Sequence, residues 1–238
     1  IKGITNQLGI SEDLIKLEPT VIGGMYPSHM EDRVLLNWPE VPPILVDTIL
    51  AVEDQDFFNH YGISLKSISR AFLRNVQAGE VEQGGSTITQ QLAKSLFFSS
   101  EQTLRRKVLE AIASLIIEFR YSKEEILLAY INDVFLAQSG KRAIHGFGMG
   151  AQHFFGTSIQ NLSTDQVALL VGMLKGPSFY NPRRNPNNAT KRRNLVLRVL
   201  NNSNKISDSA FEMLRNKALG VSLPNYRTET RYPAFHDI

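Results

Sequence analysis

Ile49-Leu50-Ala51-Val52-Glu53-Asp54-Gln55-Asp56-Phe57-Phe58-Asn59-His60 is the stretch on which the reading of the chain turns. Ile44, Leu45 and Val46 just upstream join Ile49, Leu50 and Val52 in an apolar set at roughly helical spacing, which predicts a buried amphipathic helix. That helix runs into Glu53, Asp54 and Asp56, with Phe57, Phe58 and His60 close behind. Carboxylates at the end of an apolar helix lose solvation, and desolvation raises a carboxylate pKa. A raised pKa suits a general acid or base working near neutral pH. A solvated helix end with ordinary surface acids has the same local pattern, so the assignment depends on partners elsewhere.

The composition, 42% hydrophobic and 21% charged over 238 residues, is that of a folded globular chain. Without cysteine there is no disulfide framework and no thiolate metal site. The net charge of +3 is unevenly spread. Gln166 to Ser207 holds no Asp or Glu but carries Lys175, Arg183, Arg184, Lys191, Arg192, Arg193, Arg198 and Lys205. Such a block suits an anionic partner. Nucleic acid is not expected, because no recognised nucleic-acid module accompanies the block. No apolar run of about 18 residues is present to make a membrane span, and no signal peptide is recognised. The chain opens at Ile1-Lys2-Gly3 and reads as a fragment.

Residues 1–42 hold short β-prone pieces, Thr20-Val21-Ile22 and Arg33-Val34-Leu35-Leu36, between glycines and prolines, and predict an extended or β segment. Pro42-Pro43 marks the entry to a helical body, because proline suits a first helical turn and not an interior. Helices are expected from Ser64 to about Ala78, Thr87 to Leu96, Ser99 to about Arg120 and Lys123 to about Phe135. Ser99 and Gln102 have capping-box spacing, and Ser122 and Ser163 are expected caps. A loop over 140–150 precedes further helix broken at Gly156, then helices over Thr164–Leu174 and Thr190 to about Leu200. The C-terminal piece, with Pro224 and Pro233, returns to an extended, linker-like composition.

Two further stretches carry polar chemistry. In Gln83-Gly84-Gly85-Ser86-Thr87-Ile88-Thr89-Gln90-Gln91 the paired glycines permit close backbone approach, and Ser86 or Thr87 starts a helix whose amides attract anions. Thr87, Gln91 and Lys94 fall at i, i+4 and i+7, so hydroxyl, amide and ammonium line one face over ~10 Å. In Leu104-Arg105-Arg106-Lys107-Val108-Leu109-Glu110-Ala111, Arg106 and Lys107 lie four and three residues before Glu110 and keep that carboxylate ionised. An N-capped surface helix and an ordinary surface ion pair are the plain alternatives.

Together these stretches resemble the glycosyltransferase family 51 domain, the peptidoglycan polymerase module of class A penicillin-binding proteins, and most of all its 1b type. The motifs occur in family order: Glu53 to Gly62, Gly84 to Gln91 with Lys94, Arg106 to Glu110, Lys123 to Asn132, and Arg192-Arg193-Asn194-Leu195-Val196-Leu197. Leu128 stands where the family usually has glutamate and Ala137 where it often has glycine, for which structural adjustment is expected. The resemblance implies a mainly α, lysozyme-like fold of two lobes, a large helical lobe and a small jaw lobe, with short extended or β segments at the N-terminus. It divides the chain into a connector from a regulatory domain (1–42), the transferase domain (43–205) and a linker toward a transpeptidase domain (206–238). No Ser-x-x-Lys motif is present, so penicillin acylation is not expected of this chain.

The activity implied is polymerisation of lipid II into β-1,4-linked glycan with inversion and release of undecaprenyl pyrophosphate. By motif position Glu53 is the base, and Glu110 sits on the donor side, where Arg106 and Lys107 balance the pyrophosphate. Asp54, Phe57 and His60 support Glu53; Ser86, Thr87, Gln91 and Lys94 hold the substrate; Lys175, Arg192 and Arg193 contact phosphate or support the site. Members are often assisted by Mg²⁺ or Mn²⁺, which the resemblance admits at Glu110. Implied partners are lipid II, the nascent glycan strand, the membrane surface, moenomycin as inhibitor, an outer-membrane lipoprotein activator and the division and elongation machineries. The implied location is the periplasmic face of the inner membrane. Leu92, Leu96, Phe97, Phe98 and Leu104 are expected to dip into the membrane, beside basic residues suited to anionic headgroups. A lysozyme-like hydrolase or lytic transglycosylase would also set a glutamate in a sugar cleft, but has little use for Gln91, Lys94, Arg106 and Lys107. A non-catalytic binding module has no need of both Glu53 and Glu110.

Overall fold

Pro42 is extended and Pro43 occupies the first helical position, where its missing N–H leaves no bond unmade. From there α1 runs Pro43–Glu53, with Leu45 and Ile49 fully buried and the Thr48 hydroxyl donating to Ile44 O at 2.6 Å. Asp54 leaves helical geometry (φ −157, ψ 82), so Glu53 is the last helical residue. The computed structural model describes residues 31–64, 85–98, 103–140 and 142–222, with side chains from Val34 onward. All of these lie within Pro27–Asn225.

The described chain is mainly helical, as expected. After α1 come α2 (Ile88–Phe97), α3 (Leu104–Arg120), α4 (Lys123–Asp133), α5 (Gly146–Phe155), α6 (Thr164–Met173), α7 (Pro186–Asn202) and α8 (Asp208–Arg215). Ser122 and Ser163 cap α4 and α6 in capping boxes with Glu125 and Gln166, as their spacing predicts. The cap of α3 is Thr103, whose Oγ1 accepts from Arg106 N. The expected helix from Ser64 to Ala78 and the Ser99–Gln102 capping box lie outside the described residues, Ser64 itself excepted. Helix α7 begins at Pro186 and not at Thr190, because proline at its first position starts the turn earlier.

The N-terminal extended segment is a strand only over β1 (Glu31–Arg33), so Val34 to Leu36 continue beyond it. It pairs in parallel with β3 (Arg142–His145), which pairs antiparallel with β2 (Phe135–Ser139). The expected end of α4 near Phe135 and the expected loop over 140–150 are both corrected: Phe135 opens a strand, and β3 and α5 occupy much of the loop. Asn132 ties this corner together. Its Oδ1 accepts from Leu36 N at 2.8 Å and its Nδ2 donates to Leu36 O at 2.9 Å. Gly146 (φ +74) passes so close that an added Cβ would lie 2.6 Å from Asn132 O. Of the two departures, Leu128 packs half-buried on the core and Ala137 is buried in β2, beside the register irregularity.

Helix α6 is the most enclosed, with Val167, Ala168, Leu169, Leu170, Val171 and Met173 all buried, and it packs against α1 and α7. The C-terminal stretch differs from its linker-like reading. Ser207 caps α8, and Leu214 from α8 joins Ala168, Val196 and Leu197 in a small core. Beyond it, Ser222 N donates to Phe154 O at 2.8 Å.

Arg183 clasps this return to α5, donating to Ser222 O at 3.2 Å, to His153 O, and to His153 Nε2 at 2.8 Å. An Nε2 that accepts must be unprotonated, and burial followed by the Arg183 charge lowers the His153 pKa to about 4. A histidine with a depressed folded pKa favours the unfolded chain as pH falls from the ordinary 6.5 toward 4. The loss of melting temperature across that window should therefore be smaller in His153→Asn than in wild type, as read by thermal melts at stepped pH.

Candidate active site

Because α1 ends at Glu53, its carboxylate emerges from an apolar helix against α2, where Gln91 Nε2 donates to Glu53 Oε2 at 3.0 Å. The residue as a whole is half-buried, but loss of solvent around the carboxylate pushes its pKa up. The Gln91 hydrogen bond and the Arg192 and Lys175 charges pull it down, and Asp54 adds to the rise. Desolvation prevails. The carboxylate so produced binds a proton more readily than an ordinary one and has a donor fixing one of its oxygens.

Behind Glu53 lies a buried polar chain. Asp54 Oδ2 accepts from His60 Nε2 at 2.9 Å and from Ile88 N, in the first turn of α2, at 3.1 Å. His60 Nδ1 accepts from Gly62 N at 3.1 Å, which assigns the ring proton to Nε2. Gly62 O accepts from the Thr87 hydroxyl at 2.6 Å, and the same hydroxyl caps α2 by accepting from Gln90 N at 3.1 Å. Gly62 adopts φ +81, and a Cβ there would meet Ser114 O at 2.9 Å. Phe57 is fully buried, with the Lys123 ammonium 4.4 Å from its ring centroid. The Thr87 hydroxyl is thus used on both sides within a buried network. Asp54 and His60 belong to the same network, and the Phe57 ring lies edge-on to His60 at 6.1 Å.

The second carboxylate, Glu110, is buried in α3 and clamped by two cations. Arg106 Nε lies 3.1 Å from its Oε1 and Lys107 Nζ 3.2 Å from its Oε2. Lys107 Nζ also donates to Ser86 Oγ at 2.7 Å. Lys107 remains about half exposed, so the cluster presents positive charge outward over a carboxylate that balances it. With both Glu110 oxygens engaged by cations, the site does not fit a protein-held divalent ion. Among the described residues no other group of three or more His, Asp or Glu could hold one. Helix α2 connects the two carboxylates, Ser86 just ahead of its cap reaching Lys107 and Gln91 reaching Glu53.

A family model described as Transglycosylase matches residues 19–201. The chain belongs to the transglycosylase family. The resemblance read from its motifs is borne out. This transglycosylase is similar to proteins named Penicillin-binding protein 1B. It is 44% identical to the one from Haemophilus influenzae over 97% of this chain and 30% of the relative. It is 47% identical to the one from Escherichia coli K12 over 92% of this chain and 26% of the relative. It thus spans less than a third of the length of these curated relatives. A crystal structure of Penicillin-binding protein 1A from Haemophilus influenzae gives a TM-score of 0.49 at 20% identity, covering 82% of this chain and 19% of that one.

The remaining candidate residues of the transglycosylase divide by burial. Lys94 and Lys175 are exposed, and the Lys175 charge reaches Glu53. Arg192 is half-buried, donates from Nε to Gly172 O at 3.1 Å and faces the Tyr180 ring, while its charge also bears on Glu53. Arg193, expected to contact phosphate or support the site, is buried and donates to Asn194 Oδ1, Arg215 O, Lys217 O and Ala218 O. Its guanidinium fastens the turn after α8, a structural use that leaves it buried.

Sequence reasoning missed Tyr130, whose hydroxyl donates to Gln91 Oε1 at 3.0 Å. It stood within the fourth motif without a role, because only the fold brings α4 against α2. A cavity of about 480 Å³ lined by Phe58, Asn59, His60, Tyr61, Glu118, Tyr121, Ser122 and Lys123 shares His60 with the network but contains neither Glu53 nor Glu110.

Proposed function

We propose that this transglycosylase polymerises lipid II into β-1,4-linked glycan, with Glu53 as the base. The carrying observation is a desolvated Glu53 carboxylate held by Gln91 on α2, with Ser86 just ahead of that helix meeting Lys107 of the Arg106–Lys107–Glu110 cluster. In the reaction the acceptor 4-hydroxyl gives its proton to Glu53 while its oxygen attacks the donor anomeric carbon. The bond from that carbon to the pyrophosphate oxygen breaks on the opposite face, so an α-linked donor yields a β bond. Arg106 and Lys107 offset the charge gathering on the departing pyrophosphate, and exposed Lys94 and Lys175 add to that field. Glu110 acts through the cations it holds. Mg²⁺ or Mn²⁺ would have to rest mainly on substrate phosphate oxygens, so no step is assigned to it.

The lipid-linked substrate agrees with an apolar face on α3. Leu104, Val108, Ile112, Leu115, Ile116 and Phe119 are exposed along that helix, and Leu96 and Phe97 are exposed near the end of α2. So large an uncovered apolar strip marks a contact surface, and the neighbouring Arg105 and Lys107 suit anionic headgroups. Leu92, by contrast, is core and leaves the expected membrane set. Among the described residues no helix is long and apolar enough to cross a membrane. The family resemblance carried by the motifs is the ground for proposing work at the periplasmic face of the inner membrane, inhibition by moenomycin, and assembly with a lipoprotein activator and division or elongation proteins.

The test is polymerisation of labelled lipid II in detergent by wild type, Glu53→Gln and Glu110→Gln, with moenomycin as control. Wild type should make moenomycin-sensitive polymer. Glu110→Gln should lose activity by about 10²–10³-fold, the size seen when a group serving transition-state charge is lost. Cleavage of preformed glycan without polymerisation would replace this reading by a hydrolase.

A further inference from the structure

The amide of Gln91 is held at both ends. Its Nε2 donates to Glu53 Oε2 and its Oε1 accepts from the Tyr130 hydroxyl, each at 3.0 Å. An amide can turn over about its last torsion and exchange donor for acceptor at little steric cost. If Gln91 did so, its carbonyl would face the ionised Glu53 oxygen, two acceptors in contact. The Tyr130 hydroxyl opposes that turn by supplying a proton to Oε1.

We infer that Tyr130 is a positioning residue for the transfer reaction, its hydroxyl locking the Gln91 amide so that an N–H stays aimed at the Glu53 carboxylate. The inference rests on the reading of Glu53 as the base. Tyr130 is suited to the task. It is buried in α4 between Leu127 and Ile131, both fully enclosed, so its ring has little freedom. Burial, reinforced by the nearby Glu53 and Asp54 charges, holds its phenol far above the ordinary tyrosine range, so it remains protonated and a donor at working pH. A donor on the amide oxygen also polarises the amide and strengthens the bond from its other end.

The groups bearing on Glu53 are Asp54 beside it, Gln91 from α2, Tyr130 from α4, Arg192 from α7 and Lys175 after α6. Only the Gln91 bond depends on Tyr130. That bond stabilises the ionised carboxylate and lowers its pKa, so weakening it must raise the pKa.

The experiment is the pH profile of kcat/KM for lipid II polymerisation in wild type, Tyr130→Phe, Gln91→Ala and the double variant. The acid limb should move upward by about 0.5–1 unit in Tyr130→Phe, a shift within the size of one charge-assisted hydrogen bond. Gln91→Ala should move it at least as far, and the double variant should match Gln91→Ala alone. A Tyr130 that merely packs would lower the rate at every pH and leave the limb in place. An unmoved limb, or two shifts that add, overturns the inference. A Tyr130→Phe chain that does not fold overturns it too, because the role is confined to one hydroxyl. Polymerisation retained by Glu53→Gln would instead defeat the base assignment itself, whatever Tyr130→Phe does.

Discussion

Glu53→Gln should abolish polymerisation while making the folded protein more stable. The rate loss is expected to be about 10²–10⁴-fold, the usual contribution of a positioned base. The gain in stability follows from the raised carboxyl pKa, whose main cause is burial. A carboxyl whose folded pKa is raised binds its proton more tightly folded than unfolded, so stability is lost as pH climbs from the ordinary 4.5 through the raised value. Glutamine suffers no such loss, and its carbonyl can still accept from Gln91 Nε2. The melting temperatures of the two proteins should therefore agree near pH ~4 and diverge as pH rises. They should differ by a constant amount once Glu53 is fully ionised, at about 2–4 °C per kcal/mol relieved. Melts from pH 4 to 9 beside a lipid II assay would measure both effects. A variant that is inactive but no more stable at pH 8 would mean that the carboxylate carries no desolvation burden.

Arg193→Ala should cost stability and spare substrate affinity. The guanidinium is buried and donates to the carbonyls of Arg215, Lys217 and Ala218, which close the chain after α8. Truncation would leave those acceptors without their donor. Loss of a buried, multiply bonded charged group is worth about 3–5 kcal/mol, or roughly 10 °C in melting temperature for a domain of this size. Arg193→Lys should recover part of it, since one ammonium cannot reproduce the forked geometry. At a temperature where the variant is still folded, KM for lipid II should equal that of wild type. A raised KM with an unchanged melting temperature would return Arg193 to the phosphate-binding set.

The contrast between Glu53 and Arg193 shows what the chain's letters disclose. The end of α1 was legible because a run of apolar residues stops abruptly at an acid, and prolines mark where the run begins. Helix ends at Ser122 and Ser163 were legible because caps are local, and Glu110 with Arg106 and Lys107 because i+3 and i+4 neighbours share a helix face. Arg193 looked like a phosphate ligand because its burial is decided by α8, an eight-residue helix. Its own signal, Ser207 followed by Ala210, Phe211 and Leu214, is short enough to be lost between prolines and polar residues. The β2–β3 pair was missed because its five- and four-residue strands are held by β1, more than a hundred positions away. Tyr130 and Thr87 share that limit. Which atom a hydroxyl meets is set by a packing partner distant in sequence.

Ser86, just ahead of the cap of α2, reaches Lys107, and Gln91 within the helix reaches Glu53. The four positions between those contacts, 87–90, therefore have a fixed length as well as a fixed chemistry. Each residue added or removed there turns everything downstream by 100° and slides it by about 1.5 Å. A single insertion would aim Gln91 away from Glu53 even if every side chain were kept. Substitutions in this segment can be absorbed one at a time, but a change in register cannot, and variants with altered spacing would lose the base and the cation cluster as a unit.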